Sequence, residues 1–357
     1  MSRTQMIAYA RDEWLLIIAA IGLGSTSLWL QRTPTYTRSD FEILYILLVL
    51  FIITKGLQEH QVLENIARRI EHGKRLAVKL VLLTFFFSMV VTNDVALLSI
   101  VPLTLLLQIE NKLWLVILEA LAANAGSALS PFGNPQNLFI YWYYHVPASD
   151  FISTILPFSL FFLIALLIAA AWLRIPESQS APRKAFPLSS ISYFYLIALA
   201  IFALSILRIL PLSLGGIVLL FALMADRGSL RVDYSLLLTF FCFFGFTDNL
   251  STLLSTFFIH PHHIFLLSAS LSQVISNVPT ALLVADFTPH WQPLLWGVSV
   301  GGFGTLVGSL ANLIAYRVYV RTEKDQTRAF LGRFHVASFS AFFLGLGLYY
   351  LLQYIAL

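Results

Sequence analysis

Apolar residues fall into ten stretches, at 14–30, 41–58, 76–108, 113–145, 151–173, 190–225, 235–258, 263–288, 291–316 and 336–356, with short polar loops between them. A helix crosses about 30 Å of hydrocarbon in about 20 residues, so the longer stretches exceed one crossing. Their polar interruptions say how they divide. Stretch 76–108 carries Asn93 and Asp94 at its middle, and 263–288 bends at Ser276 to Pro279. Each predicts a helical hairpin that enters and leaves the membrane by one face, because polar, helix-breaking residues belong where a cavity or a turn receives them. Stretches 113–145 and 291–316 predict crossings whose helices unwind at glycine-rich segments. These are Asn124-Ala125-Gly126-Ser127 leading to Gly133-Asn134-Pro135-Gln136-Asn137, and Gly301-Gly302-Phe303-Gly304-Thr305 leading to Gly308-Ser309-Leu310-Ala311-Asn312. Pro211 divides 190–225 into two helices. The expected fold class is all-α, a polytopic membrane protein.

The interruptions come in pairs. Asn93 precedes Asn277 by 184 residues and Gly126 precedes Gly304 by 178, so one spacing relates two halves of the chain. The halves are 1–174 and 190–357, joined by a proline-rich polar linker at 175–189. With the N-terminus in the cytoplasm, nineteen of the twenty-two lysines and arginines fall on the cytoplasmic side, leaving only Arg32, Arg38 and Arg208 outside. That asymmetry requires both hairpins to be re-entrant, since a single crossing at either would invert every later loop. The hairpins then open to opposite sides, which makes the halves an inverted repeat. Between stretches two and three, Val62, Leu63, Ile66 and Ile70 share a helical face while Glu64, Arg68, Arg69 and Glu71 lie elsewhere, with Gly73 ending the helix. This predicts an amphipathic helix at the membrane interface or one packed on a partner subunit.

Composition agrees with the pattern. Hydrophobic residues make up 58% of the chain and charged ones 11%, too little polar surface for a soluble domain. The net charge of +4 follows from loop topology and implies no nucleic-acid partner; the lipid bilayer is the expected surrounding. The first stretch is longer than a signal-peptide core and ends in Gln31-Arg32-Thr33, without small residues at a cleavage position, so it reads as a membrane helix. A single cysteine, Cys242, forms no internal disulfide, and neither it nor His260, His262 and His263, beside Pro261, predicts a transition-metal site. Trp14, Trp114, Trp142, Trp291 and Trp296 are expected in interfacial aromatic belts.

Four motifs, Thr92-Asn93-Asp94-Val95-Ala96, Asn124-Ala125-Gly126-Ser127 with Gly133-Asn134-Pro135-Gln136-Asn137, Ser276-Asn277-Val278-Pro279-Thr280, and Gly304-Thr305 with Gly308-Ser309-Leu310-Ala311-Asn312, occur in this order along nearly the whole chain. They resemble those of the ion-transporter superfamily, which contains arsenite permeases, sodium/proton antiporters and the divalent-anion/sodium symporters that carry citrate and succinate. The resemblance implies a homodimer in the inner membrane, with a static scaffold and a mobile unit of two hairpins and two broken helices that moves like an elevator. It also implies no cofactor beyond a co-transported ion such as sodium.

Hairpin tips and unwound helices leave free backbone groups at mid-membrane, where N–H groups hold anions and carbonyls hold cations. Asn93, Asn277, Thr92, Ser276 and Thr305 add side chains that supply either oxygens to a sodium ion or donors to an anionic substrate. Asn124, Ser127, Asn134, Asn137, Thr280 and Asn312 join them as candidate ligands, with the alternative for any of the asparagines that it only satisfies backbone groups at a turn, and Gly126, Gly133, Gly304 and Gly308 are either unwinding or close-packing positions. Asp94 departs from the Ser-Asn-Thr tips of dicarboxylate symporters and is either a coupling acid or a helix cap. Glu119, on a face with Ala122, Ala123 and Gly126, and Asp248, with Gly245 and Thr252, are either proton-relay acids or interhelical hydrogen-bond partners on faces buried in protein. Lysine and arginine are not expected in the core.

Gly245-Phe246-Thr247-Asp248 lacks the Gly-x-Gly-Asp of intramembrane aspartyl proteases, and no phosphate-binding loop is present, so neither an enzyme nor an ATP-driven pump is expected. The reading that remains is a secondary transporter of a small ion or oxyanion coupled to sodium or protons. The alternatives are a sodium/proton antiporter or arsenite efflux permease, and, from another class, an ion channel.

Overall fold

The computed structural model describes residues 13–70, 75–107, 109–173, 187–253 and 261–356. Gly73, His260 and all but the last residues of the 175–189 linker lie outside them. Helix accounts for 81% and there is no strand among the described residues, as the apolar pattern requires. The first half contains α1 (Trp14–Leu30), α2 (Arg38–Glu59), α3 (Val62–Ile70), α4 (Leu76–Val90), α5 (Asn93–Leu106), α6 (Lys112–Ser127), α7 (Pro135–Tyr143) and α8 (Ala148–Trp172). The second contains α9 (Ser190–Ile206), α10 (Gly215–Met224), α11 (Tyr234–Leu253), α12 (Pro261–Ile275), α13 (Asn277–Ala285), α14 (Trp291–Gly301), α15 (Leu310–Thr322) and α16 (Thr327–Ala356).

Local chemistry sets the boundaries. A capping box starts α2, where Asp40 N–H donates to Thr37 Oγ1 and Thr37 N–H donates to Asp40 Oδ2 (2.7 Å). Asn134 caps α7 by accepting the Asn137 N–H (2.9 Å), and Pro135 occupies the first helical position, where no donor is needed. The breaks fall where the sequence places them: α4 ends before Thr92, α12 before Ser276, α6 at Ser127 and α14 at Gly301.

Each half thus contains a pair of helices interrupted before an asparagine, then a pair interrupted over a glycine-rich segment, then one long helix. The packing repeats as well. Helix α4 lies along α6 and α12 along α14, while α5 crosses to α15 and α13 to α7. A Cβ on Gly126 would strike the Phe85 carbonyl and come within 2.6 Å of Ser88 Oγ, and one on Gly297 would come within 2.7 Å of the Phe265 carbonyl, so both close approaches depend on glycine. The remaining helices form a second group, in which α1 packs on α11 and α2 on α9, α10 and α11; the groups meet where α2 touches α5 and α7, α3 touches α5, and α11 touches α13.

Helices α8 and α11, and α16 with the turn before it, are each long and apolar enough to cross a membrane. Ile152, Leu156, Leu160, Ile164 and Ile168 are exposed at four-residue spacing on α8, an apolar stripe that suits lipid rather than water. Three expectations are corrected. Helix α16 begins at Thr327 rather than 336, because Arg328 and Arg333 continue the helix at its polar end. Trp142 and Trp296 are buried, Trp142 beneath the Arg208 guanidinium (4.9 Å) and Trp296 donating to the Thr154 carbonyl (2.9 Å), so neither joins a belt. Helix α3 buries Val62, Leu63 and Ala67 against its own chain, so this part of its apolar face packs on protein rather than on lipid.

Gly126→Val is expected to push α4 off α6 at a cost of about 1–3 kcal/mol, the usual range for overpacking. A melting temperature in detergent within a degree of wild type would show that the approach is not tight.

Candidate functional site

The residues before the two tip asparagines share an unusual backbone. Thr92 has φ 105° and Ser276 φ 74°, both with ψ near 150°, a region that costs a residue with a side chain about 1–3 kcal/mol. One hydrogen bond holds each turn. Asn93 N–H donates to the Gly133 carbonyl (3.0 Å) and Asn277 N–H to the Gly308 carbonyl (3.0 Å), so each hairpin-like tip is tied to the unwound segment that follows it in its own half.

Side-chain amides then join the halves. Asn93 Nδ2 donates to Asn124 Oδ1 (3.5 Å), Asn124 Nδ2 to Asn312 Oδ1 (2.8 Å), and Asn312 Nδ2 to the carbonyls of Gly302 (2.9 Å) and Thr305 (3.1 Å). Gly302 lies between the tips: a Cβ there would stand 3.3 Å from Asn277 Nδ2 and 3.5 Å from Asn124 Oδ1. Asn137 Nδ2 satisfies the loose carbonyls of Ser127, Ala128 and Ser130 (3.0–3.1 Å), and Asn134 Nδ2 donates to Ser127 Oγ (3.2 Å). Gln273, which the motifs do not single out, does the same for the second break. Its Nε2 donates to the carbonyls of Gly301 and Phe303 (both 3.0 Å), and its Oε1 accepts the Thr305 N–H (2.9 Å). The left-handed turn at Gly304, φ 93°, brings its Cα against Gln273 Oε1, where any Cβ would collide.

A cavity of about 120 Å³ opens at this junction. Four helix starts line it: Asn93 and Asp94 of α5, Pro135 and Gln136 of α7, Asn277, Val278 and Pro279 of α13, and Leu310 of α15 with Ser309 before it. Helix N-termini carry unpaired N–H groups and about half a positive charge each, so their convergence makes a field that favours an anion. Arg317 of α15 also lines the cavity, contrary to the expectation of a core without cations. The second group of helices contributes Glu13, Asp233 and Thr239 to the lining. An adjoining cavity of about 240 Å³ shares Asp94 and Asp233 and adds Thr92, Lys55 and Arg231.

The motif residues therefore divide. Asn93, Asp94, Ser276 and Asn277 line the first cavity and Thr92 the second. Asn124, Ser127, Asn134, Asn137, Thr305 and Asn312 lie behind, satisfying backbone, and Thr280 Oγ1 donates to the Ser276 carbonyl (2.8 Å). Gly126 and Gly308 serve close packing, since a Cβ on Gly308 would come within 2.7 Å of the Gly301 carbonyl; Gly133 backs onto Ser127 in the same way. Asp94 Oδ1 is buried without a hydrogen-bond partner among the described residues. Glu119 is fully buried off the cavity, with Thr104 Oγ1 donating to Oε1 (2.5 Å) and, among the described residues, nothing donating to Oε2. Asp248 departs from its expected protein-buried face: it is partly exposed, ion-paired with Arg32 and accepts the Thr35 N–H (2.9 Å), so it ties the α1–α2 loop to α11. Among the described residues no three His, Cys, Asp or Glu side chains gather into a metal-binding group.

Gln273→Leu keeps the side chain's bulk but leaves two carbonyls and an N–H unsatisfied, each worth about 1–3 kcal/mol. The expected result is a melting temperature several degrees lower with the protein still in the membrane; an unchanged value would show that the second break does not depend on this amide.

The geometry agrees with sequence comparison. The family model described as a citrate transporter matches residues 10–301. A protein of Methanocaldococcus jannaschii named as an uncharacterized transporter is 34% identical over 294 residues, covering 78% of this chain and 81% of its own. The inner membrane protein YbiR of Escherichia coli K12 is 33% identical over 360 residues, covering 91% of this chain and 90% of its own. The chain belongs to the citrate transporter family of secondary transporters, within the ion-transporter superfamily that its motifs resemble.

Proposed function

We propose that the protein moves a small anion or oxyanion through the cavity at the junction of α5, α7, α13 and α15, coupled to sodium or protons. The observation that carries this reading is the meeting of four helix N-termini with Asn93, Asn277 and Arg317 around one cavity. Solute carboxylate or oxyanion oxygens take the free N–H groups of the helix starts, and the asparagine amides donate to them. Asp94 faces the coupling cation, with sodium at Asn93 and Asn277 or a proton on Asp94. An orphaned carboxylate oxygen on Asp94 supports a cation at that place. The same oxygen favours the second reading, sodium/proton exchange, in which the cation alone is carried.

In this reading α4–α5 and α12–α13 are re-entrant hairpins of an inverted repeat, 1–174 and 190–357, in the inner membrane with the N-terminus cytoplasmic. The matched ties of Asn93 to Gly133 and Asn277 to Gly308 support the repeat. The packing of the helices into two groups supports an elevator, the broken-helix group sliding along α1, α2 and α11, with a second copy holding the scaffold still. A coupled carrier rather than a channel suits two re-entrant hairpins of opposite orientation. Glu13, Asp233 and Arg317 line the cavity from segments that the basic-loop asymmetry assigns to the cytoplasmic side, which supports an inward-open arrangement.

In liposomes tested with citrate, phosphate and arsenite under separate sodium and pH gradients, Asn93→Ala and Asn277→Ala are each expected to abolish uptake in folded protein. Arg317→Gln should raise KM for an anionic solute about tenfold, equivalent to about 1.4 kcal/mol. Asp94→Asn should bind solute but lose its dependence on the imposed gradient, because an amide keeps the shape and cannot ionise. Near-normal transport by both asparagine variants would refute the site. Retained gradient dependence in Asp94→Asn would move coupling elsewhere.

A further inference from the structure

Away from the cavity, an apolar groove of about 380 Å³ runs between α6, α8 and α16. Buried Leu118, Leu121, Phe162 and Leu166 form its floor, and exposed Trp172 and Leu344 stand at its rim. Apart from the indole N–H groups of Trp114 and Trp172 at one end, its polar lining group is the Ser340 hydroxyl, which donates to its own helix at the Val336 carbonyl (2.7 Å). Along α8 the lining runs from Phe162 to Leu173, about 16 Å at 1.5 Å per residue. That length is close to half of the roughly 30 Å hydrocarbon thickness, the depth of one leaflet.

The two ends of the groove differ. One is aliphatic. At the other, Trp114 and Trp172 stand together, the Arg333 guanidinium lies 5.7 Å from the Trp114 ring, and α6 begins at Lys112, whose ammonium donates to the Leu105 carbonyl (2.9 Å). Tryptophans with basic side chains mark the headgroup level, and basic groups there attract anionic lipids. A groove one leaflet deep, apolar along its length and cationic only at its interfacial end, is complementary to one lipid.

We propose that this groove holds an acyl chain of an anionic phospholipid, with the headgroup phosphate against Arg333 and Lys112. The chain covers apolar floor that would otherwise face disordered lipid, and the phosphate accepts hydrogen bonds that the guanidinium forms better than a lone ammonium does. Because the groove joins α8 and α16 to α6, one half of the first broken helix, a bound lipid would travel with the substrate-binding group of helices.

The test is native mass spectrometry of the full chain, delipidated in detergent and titrated with phosphatidylglycerol or phosphatidylcholine of identical acyl chains. Wild type is expected to retain one phosphatidylglycerol at a lipid concentration at least fivefold lower than for phosphatidylcholine. Arg333→Gln should remove that preference and Arg333→Lys restore part of it. Ala169→Trp, which fills the groove, should lose the retained lipid. Ile201→Trp, on exposed α9, should keep it. Melting temperatures without lipid separate these effects from misfolding, and should Ala169→Trp fail to fold, the Arg333 pair carries the test. Equal retention of the two lipids by wild type would overturn the proposal. So would an unchanged preference in Arg333→Gln, or loss of a dimer in a folded Ala169→Trp, which would make the groove the seat of a second copy.

Discussion

Breaking a helix inside hydrocarbon leaves carbonyls and N–H groups that water cannot reach, each costing several kcal/mol until something pairs with it. Four such breaks meet in this chain, and the fold around them is an arrangement of amides that satisfies one set of groups and leaves another open. Asn137 takes three carbonyls at the end of α6, while Gln273 and Asn312 take four around the end of α14. Backbone ties from Asn93 to Gly133 and Asn277 to Gly308 hold the tips against the breaks. The carbonyl ends are thus largely consumed within the protein. The N-terminal ends of α5, α7, α13 and α15 face the cavity instead.

Helix starts favour negative charge, and Arg317 adds to them, while Asp94, Asp233 and Glu13 line the same cavity. In the proposed function, an anion and a cation bound there would each offset the field that opposes the other. The strained turns at Thr92 and Ser276 belong to the same design: an ordinary helical geometry there would carry α4 straight into α5 and α12 into α13, and close the space that the tips bound.

Much of this was legible before any coordinates, and the reason is local. Asparagine, glycine and proline in apolar sequence have few explanations, so the breaks before Asn93 and Asn277, and those around Gly133 and Gly304, could be read from residue type alone. Residues that act through tertiary contact could not. Gln273 sits one turn before a tip and looks like a lone polar residue on a helix; its role appears only when α14 ends beside it. Arg317 reads as part of a basic loop until α15 carries it to the cavity. Asp248 lay on a face judged buried, and Arg32, from a loop far away in sequence, claims it. Trp142 and Trp296 misled because interfacial and buried tryptophans have the same sequence signature, and only Arg208 and Thr154 distinguish them.

The central claim is that both halves build one solute site. In a Cys242→Ala background, Gln136→Cys reports from the start of α7 and Val278→Cys from the start of α13, on opposite halves of the chain and both on the cavity wall. The rate of thiol labelling is measured against rising concentrations of the solute that liposomes show to be carried. A single site protects both cysteines with the same half-saturating concentration; protection of only one, or of the two at clearly different concentrations, would contradict the account.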